Sequence, residues 1–132
     1  MEDEILKSIE LEFTILEFHS NYVVSKVREN VVFSQRQVRD LVEVCSDFYK
    51  RKKFVYLSLR VNNYNVDPTI YLNISDVKNL AGIGIVSSNS AALKMANFEQ
   101  KFSKVPFSIF LEMDDALDWV AELTGKPRKQ KK

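Results

Sequence analysis

The chain has 132 residues, 45% hydrophobic and 28% charged, which fits one domain with a real core and excludes collagen-like, disordered and disulfide-framework classes. Nineteen basic against 18 acidic side chains leave a net charge of +1. The closing GKPRKQKK holds five of the cations, however, so residues 1–124 carry 14 basic against 18 acidic groups and sum to −4. That mildly acidic body excludes a basic nucleic-acid surface, because phosphate contacts need clustered Lys and Arg.

A single cysteine, Cys45, rules out an intrachain disulfide, and the acidic opening MEDEILKSIE lacks the basic-then-apolar pattern of a signal peptide. No apolar run approaches the roughly 18 residues that span a bilayer. A cytoplasmic protein without a membrane span is therefore expected.

Along the chain, SIELEFTIL alternates from Ser8 to Leu16, with Ile9, Leu11, Phe13 and Ile15 on one face: a half-buried strand. HSNY supplies a polar turn, and the β-branched YVVSKV, Tyr22 to Val27, returns as its antiparallel partner. Ser34 followed by Gln37 is a capping-box start. It leads a helix whose apolar stripe is Val38, Leu41, Val42, Cys45, Phe48 and Tyr49, with KRKK at its far end to suit the helix dipole. FVYLSL, Phe54 to Leu59, reads as a central strand covered on both faces.

The loop RVNNYNVDPTIYL follows, and Asp67-Pro68 inside it suits the start of a short helix reaching about Asp76. Ile83 to Val86 is the next buried strand. SSNS then caps a helix with the stripe Ala91, Met95, Phe98 and Phe102. FSIFL, Phe107 to Leu111, is another strand. MDDALDWVAEL is a helix with acidic residues at its start, Ala116, Leu117, Val120 and Ala121 on one face, and Gly125 as a stop. Such alternation predicts an α/β fold: a mixed, mostly parallel sheet of about five strands, an antiparallel hairpin at its start, and about four helices.

The strand-then-helix NLAGIGIVSSNSAALKMANFEQKF, the ending VPFSIFLEMDDALDWV and the element order before them resemble the STAS fold, in the branch related to the sporulation anti-anti-sigma factor, whose small members are described as lipid-binding-like. Phe107, Phe110, Ala116, Leu117 and Trp119 carry the more specific part. The resemblance spans roughly Ser8 to Leu123 and implies a STAS-like single domain over 1–124, with 125–132 as a basic flexible tail. It also implies action by binding a partner, and a phosphorylated hydroxyl at the start of the helix after the third strand. That position falls on Thr69, with Asp67 as the acidic residue, although the usual Asp-Ser-Ser-Gly is absent and Pro68 replaces a small polar residue.

Chemistry is sparse. His19 is the only histidine and sits in a polar turn, so neither a metal site nor a catalytic triad has the partners it needs, and it reads as a surface residue. Cys45 lies on an apolar helix stripe, where a thiol is inert. Gly82 and Gly84 precede or lie within a strand, whereas a dinucleotide cradle needs glycines between strand and helix; close packing against a helix explains them. Asp114, Asp115 and Asp118 are ordinary complements of a helix dipole.

No catalytic residue, metal or cofactor is expected. Ligands of open α/β sheets settle outside the carboxyl ends of the strands, and that edge gathers Arg60 to Asn65, Ser87 to Ser90 and the turn at Glu112. The expected function is a non-enzymatic binding module acting through a protein partner there. Arg60 supplies a charge-assisted contact, Asn62, Asn63 and Asn65 give donors and acceptors, Tyr64 is an anchor, and Ser87, Ser88 and Asn89 line the face. The alternatives are a carrier of a small apolar or lipid-like ligand and, third, a hydrolase; the pattern leaves a homodimer open.

Overall fold

The computed structural model describes residues 4–60, 65–74 and 77–128. In chain order the elements are β1 (Lys7–Glu10), β2 (Thr14–Phe18), β3 (Tyr22–Val27), β4 (Val32–Phe33), α1 (Gln35–Tyr49), β5 (Phe54–Leu59), β6 (Asn65–Val66), α2 (Ile70–Ile74), β7 (Leu80–Val86), α3 (Ser90–Glu99), β8 (Phe107–Phe110) and α4 (Met113–Thr124), with a 3-10 turn at Gln100–Phe102. Six strands form the main sheet in the order β1-β2-β3-β5-β7-β8, and β4 with β6 makes a small second sheet. Pairing is antiparallel from β1 to β3 and parallel from β3 to β8. This is the mixed, mostly parallel α/β sheet with an antiparallel start that the sequence predicts.

The sixth strand comes from a correction. Ser8 to Leu16 is not one strand: the chain reverses at Leu11, whose amide donates to the Thr14 carbonyl at 2.8 Å, and the two halves pair with each other from Lys7↔Phe18 to Glu10↔Ile15. Folding back satisfies backbone groups that a single long edge strand would leave to water. The reversal also shifts the parity of burial. Leu16 and Phe18 are buried in place of Ile15, and Thr14, expected on the polar face, is buried with its hydroxyl 2.8 Å from Ser25 Oγ.

The three crossover helices α1, α2 and α3 contribute Leu41, Cys45, Ile70, Ile74 and Ala96 to one core, together with Phe54, Tyr56 and Ile83 from the sheet. On the opposite face α4 packs Ala116, Leu117 and Val120 against Val55 and Leu57. Successive residues of β5 thus serve opposite layers, as a central strand covered on both sides must. Helices on both faces of a parallel sheet make a three-layer sandwich.

Local rules account for several helix ends. Gln37 Oε1 accepts from the Ser34 amide at 3.0 Å and from its hydroxyl at 2.7 Å at the start of α1. Asp67 Oδ1 accepts from the Thr69 amide at 3.1 Å; α2 begins at Ile70 rather than Pro68, and the expected end at Asp76 lies outside the described residues. α4 closes on Gly125 with φ of 71°, a left-handed geometry that glycine adopts without penalty. At Gly82 and Gly84 an added Cβ would lie 2.5 Å from Leu123 and 2.6 Å from Leu57, with Trp119 3.0 to 3.2 Å from each. Bare backbone there lets α4 lie close on β7.

One helix departs from its expected face. Of the expected stripe, Ala91, Met95 and Phe98 are turned outward on α3 and Phe102, in the 3-10 turn, is half-buried against the core, while the buried residues of the helix are Ala96 and Glu99. A buried carboxylate holds the end of this helix, where apolar packing is expected.

Candidate functional site

The parallel strands end at one edge, where the backbone continues their pairing by one step: the Arg60 amide donates to the Val86 carbonyl at 2.9 Å and the Ser87 amide to the Phe110 carbonyl at 3.0 Å. Beyond these bonds lies a cleft of about 400 Å³, lined by Leu59 and Arg60 at the end of β5, Val86 to Asn89 at the end of β7, and Leu111 and Met113 at the turn into α4. Its position follows from the architecture, since loops and helix starts converge at the carboxyl ends of parallel strands.

Within the cleft the polar groups differ in how free they are. Ser87 is buried; its hydroxyl donates to the Arg60 carbonyl at 3.1 Å and accepts from the Asn89 amide at 3.1 Å. That proton goes to a carbonyl rather than to a base, which is the arrangement of a structural serine and not of an activated nucleophile. Asn89 caps α3, its Oδ1 accepting from the Ala91 and Ala92 amides at 2.9 and 3.1 Å. Ser88 is exposed, and beside it Leu111 stands 62% exposed at the rim.

Arg60 corrects the reading of this face. The residue is only 6% exposed, and its guanidinium is committed inside the protein rather than offered to a partner. Nη1 donates to Glu99 Oε2 at 2.9 Å, Nη2 donates to Glu99 Oε1, and Nη2 also lies 3.2 Å from the Tyr71 hydroxyl, which donates to Glu99 Oε1 at 2.7 Å. Glu99 is 2% and Tyr71 3% exposed. A fork-to-fork ion pair with a tyrosine bound to the same carboxylate is the geometry that lets two charges sit in a protein interior.

Glu99 and Tyr71 are partners of Arg60 that sequence reasoning missed. A signal for Glu99 was present: Ala92, Ala96 and Glu99 fall at three- and four-residue spacing, a second and less apolar stripe competing with Ala91, Met95 and Phe98. Small residues let α3 approach closely, and an arginine ending a buried strand needs a carboxylate. Through these contacts Arg60 ties both ends of α3, the start by way of Ser87 and Asn89 and the finish through Glu99.

Of the other candidates, Asn62, Asn63 and Tyr64 lie outside the described residues. Asn65 opens β6 and pairs with Val32. Thr69 is exposed, with its hydroxyl given to Asp67 Oδ1 at 2.7 Å. His19 is not a surface residue: it is buried, its ring stacked on Tyr22 with centroids 4.2 Å apart. Burial pushes the Cys45 thiol up to about 12, in keeping with a core residue. Among the described residues no cluster of His, Cys, Asp and Glu could hold a metal, and no helix is long and apolar enough to cross a membrane. At the C-terminal end, Arg128 does not trail free; it bonds Asp114 at 3.1 Å and Asp118 at 2.6 Å on α4.

No family model and no curated protein matches the chain. Among solved structures it is similar to an uncharacterized protein of the DUF3478 family with a SpoIIAA-like fold from Shewanella loihica PV-4. The identity is 15% and the TM-score 0.52, over 91% of this chain and 95% of that one. The chain therefore has a SpoIIAA-like α/β fold, the fold that its resemblance to STAS domains implies. At that identity the likeness concerns the fold and carries no residue of the site.

Proposed function

We propose that the protein is a non-enzymatic binding module that takes a protein partner at the carboxyl edge of its sheet. The observation that supports this reading is the cleft of about 400 Å³ with Ser88 and Leu111 exposed at its mouth. An apolar side chain beside an exposed hydroxyl, on a sheet edge, suits an interface anchor with a polar surround. Asn62, Asn63, Tyr64 and Asn65 follow Arg60 closely in sequence and remain candidates for the same partner. Arg60, Ser87 and Asn89 shape that face from within, by holding the loop and the start of α3. Thr69, beside Asp67, has no part in it.

The carrier alternative needs an apolar chamber. The apolar space between α1 and the sheet, bounded by Leu41, Cys45, Phe54 and Leu80, holds about 10 Å³, room for about one water. The hydrolase alternative needs an activated hydroxyl, and Ser87 is engaged with backbone groups.

A paired experiment tests the proposal. Affinity capture from the cell of origin is run with the wild type and with a Ser88→Arg/Leu111→Asp variant, which fills and charges the mouth while leaving the buried ion pair alone. A protein recovered stoichiometrically with the wild type and lost from the folded variant is the expected result. Equal recovery by both, or a small apolar ligand retained by the wild type in native mass spectrometry, would overturn it.

A further inference from the structure

Between Ser87 and Lys104 the sequence carries four charged side chains, Lys94, Glu99, Lys101 and Lys104. Glu99 is buried and paired with Arg60. The exposed charges of this stretch are therefore all positive, on a body whose residues 1–124 sum to −4. α3 also turns large apolar side chains outward on the same side, Met95 39% and Phe98 53% exposed.

These side chains are arranged in a groove. Val66 of β6 with Lys94, Met95, Phe98 and Glu99 of α3 bounds a depression of about 300 Å³, the Glu99 carboxylate there being paired with Arg60, and none of these residues lines the cleft at the sheet edge. Phe98 does not hang loose: its ring meets Phe102 edge-on with centroids 5.5 Å apart, and Lys101 Nζ lies 5.8 Å from its centroid. An aromatic side chain already held in place loses little freedom when a partner covers it. The clamp explains why such residues can face water. Because Arg60, Glu99 and Asn89 fasten the helix, its apolar residues are not needed to hold it down.

We infer that this groove is a docking site for an acidic amphipathic segment of a partner protein, separate from the face at the sheet edge. Its apolar side chains lie against Met95, Phe98 and Val66, and its carboxylates face Lys94 and Lys101. Complementary charge on the rim of an apolar contact directs the choice of partner, and the aromatic anchor supplies most of the affinity.

The test uses the full chain and a labelled helical peptide with leucines at three- and four-residue spacing and glutamates between them. The same peptide with lysine for every glutamate is the control. Fluorescence anisotropy should show saturable binding of the acidic peptide, and binding of the lysine peptide weaker by on the order of tenfold or more. Phe98→Ser should weaken the acidic peptide by roughly tenfold or more, Lys94→Glu/Lys101→Glu should reverse the preference, and Ser88→Arg should change nothing. Thermal unfolding confirms that each variant is folded. Equal binding of the two peptides, no binding of either, or undiminished binding by folded Phe98→Ser would overturn the inference. So would binding only to phosphatidylcholine–phosphatidylglycerol vesicles, or a self-association in sedimentation that Phe98→Ser abolishes. Because Ser88→Arg leaves this binding intact, failure here and failure of the cleft are told apart.

Discussion

Two helices on the same side of the sheet are held in opposite ways. α1 is fastened by an apolar stripe, with Val38, Leu41, Cys45 and Tyr49 buried against the sheet. α3 buries an alanine and a glutamate, and it is fastened at both ends through Arg60. The ionisable groups that α1 buries are kept neutral by their surroundings, whereas the one that α3 buries is part of an ion pair. An apolar anchor uses up the face that makes it. A polar clamp leaves the apolar residues of its helix free for another purpose.

The clamp offers the largest effect by which this contrast can be broken. Glu99→Ala strands the Arg60 guanidinium without its carboxylate in the interior, and urea denaturation should show a loss of about 3–5 kcal/mol. Replacing the whole cluster, Arg60→Met with Tyr71→Phe and Glu99→Leu, should recover most of that loss, because no polar group is then left unpaired. If Glu99→Ala costs less than about 1 kcal/mol, α3 is held by something other than the ion pair. On α1 the corresponding change is Leu41→Ala, which removes buried methyl groups from a packed face and should cost about 2–5 kcal/mol. No second substitution short of refilling the cavity should restore it.

How legible each helix is in sequence follows the same division. The stripe of α1 is written at three- and four-residue spacing in residues that can only be apolar core, and β3 and β5 likewise run over the stretches read for them, Tyr22 to Val27 and Phe54 to Leu59. The edge cleft was legible as a place, since topology alone sets where parallel strands end. Its chemistry was not. Arg60 beside a polar loop looks like a surface contact until the fold brings Glu99, 39 positions away, against it. Pairing at that separation leaves no periodic trace. β1 and β2 fail for a different reason: alternation carries the face of a residue but not the point of reversal, so a strand and a tight hairpin share one pattern until backbone pairing is known.

The neutral groups of α1 give a pH test. Burial raises the Cys45 thiol from an ordinary 9.0 to about 12 and raises the Tyr49 hydroxyl as well, with the Cys45 charge adding to the rise of Tyr49. Between those limits the folded chain keeps a thiol proton that the unfolded chain releases, so the native state binds more protons and stability falls as pH rises. The contribution is complete below pH 9.0 and is lost on the way to about 12. Urea midpoints measured from neutral pH into that window should fall more steeply for the wild type than for Cys45→Ala. The thiol of the folded protein should also be inert to alkylating reagents at pH 8, roughly a unit below even its ordinary value. Parallel slopes for the two proteins would mean that Cys45 is solvated.

The smallest expected effect separates the two helices most cleanly. If α3 were fastened by Ala91, Met95 and Phe98, as its periodicity suggests, truncating Met95 would open a cavity and cost about 2–5 kcal/mol. With Met95 turned outward and the helix end held by Glu99, Met95→Gln replaces one solvated side chain with another, and the change should stay within about 0.5 kcal/mol. Measured beside Leu41→Ala under the same conditions, a near-zero value on α3 against several kcal/mol on α1 shows that equal periodicity serves different ends. A large loss at Met95 would place its side chain in a core, and it would remove the exposed apolar face on which docking by α3 depends.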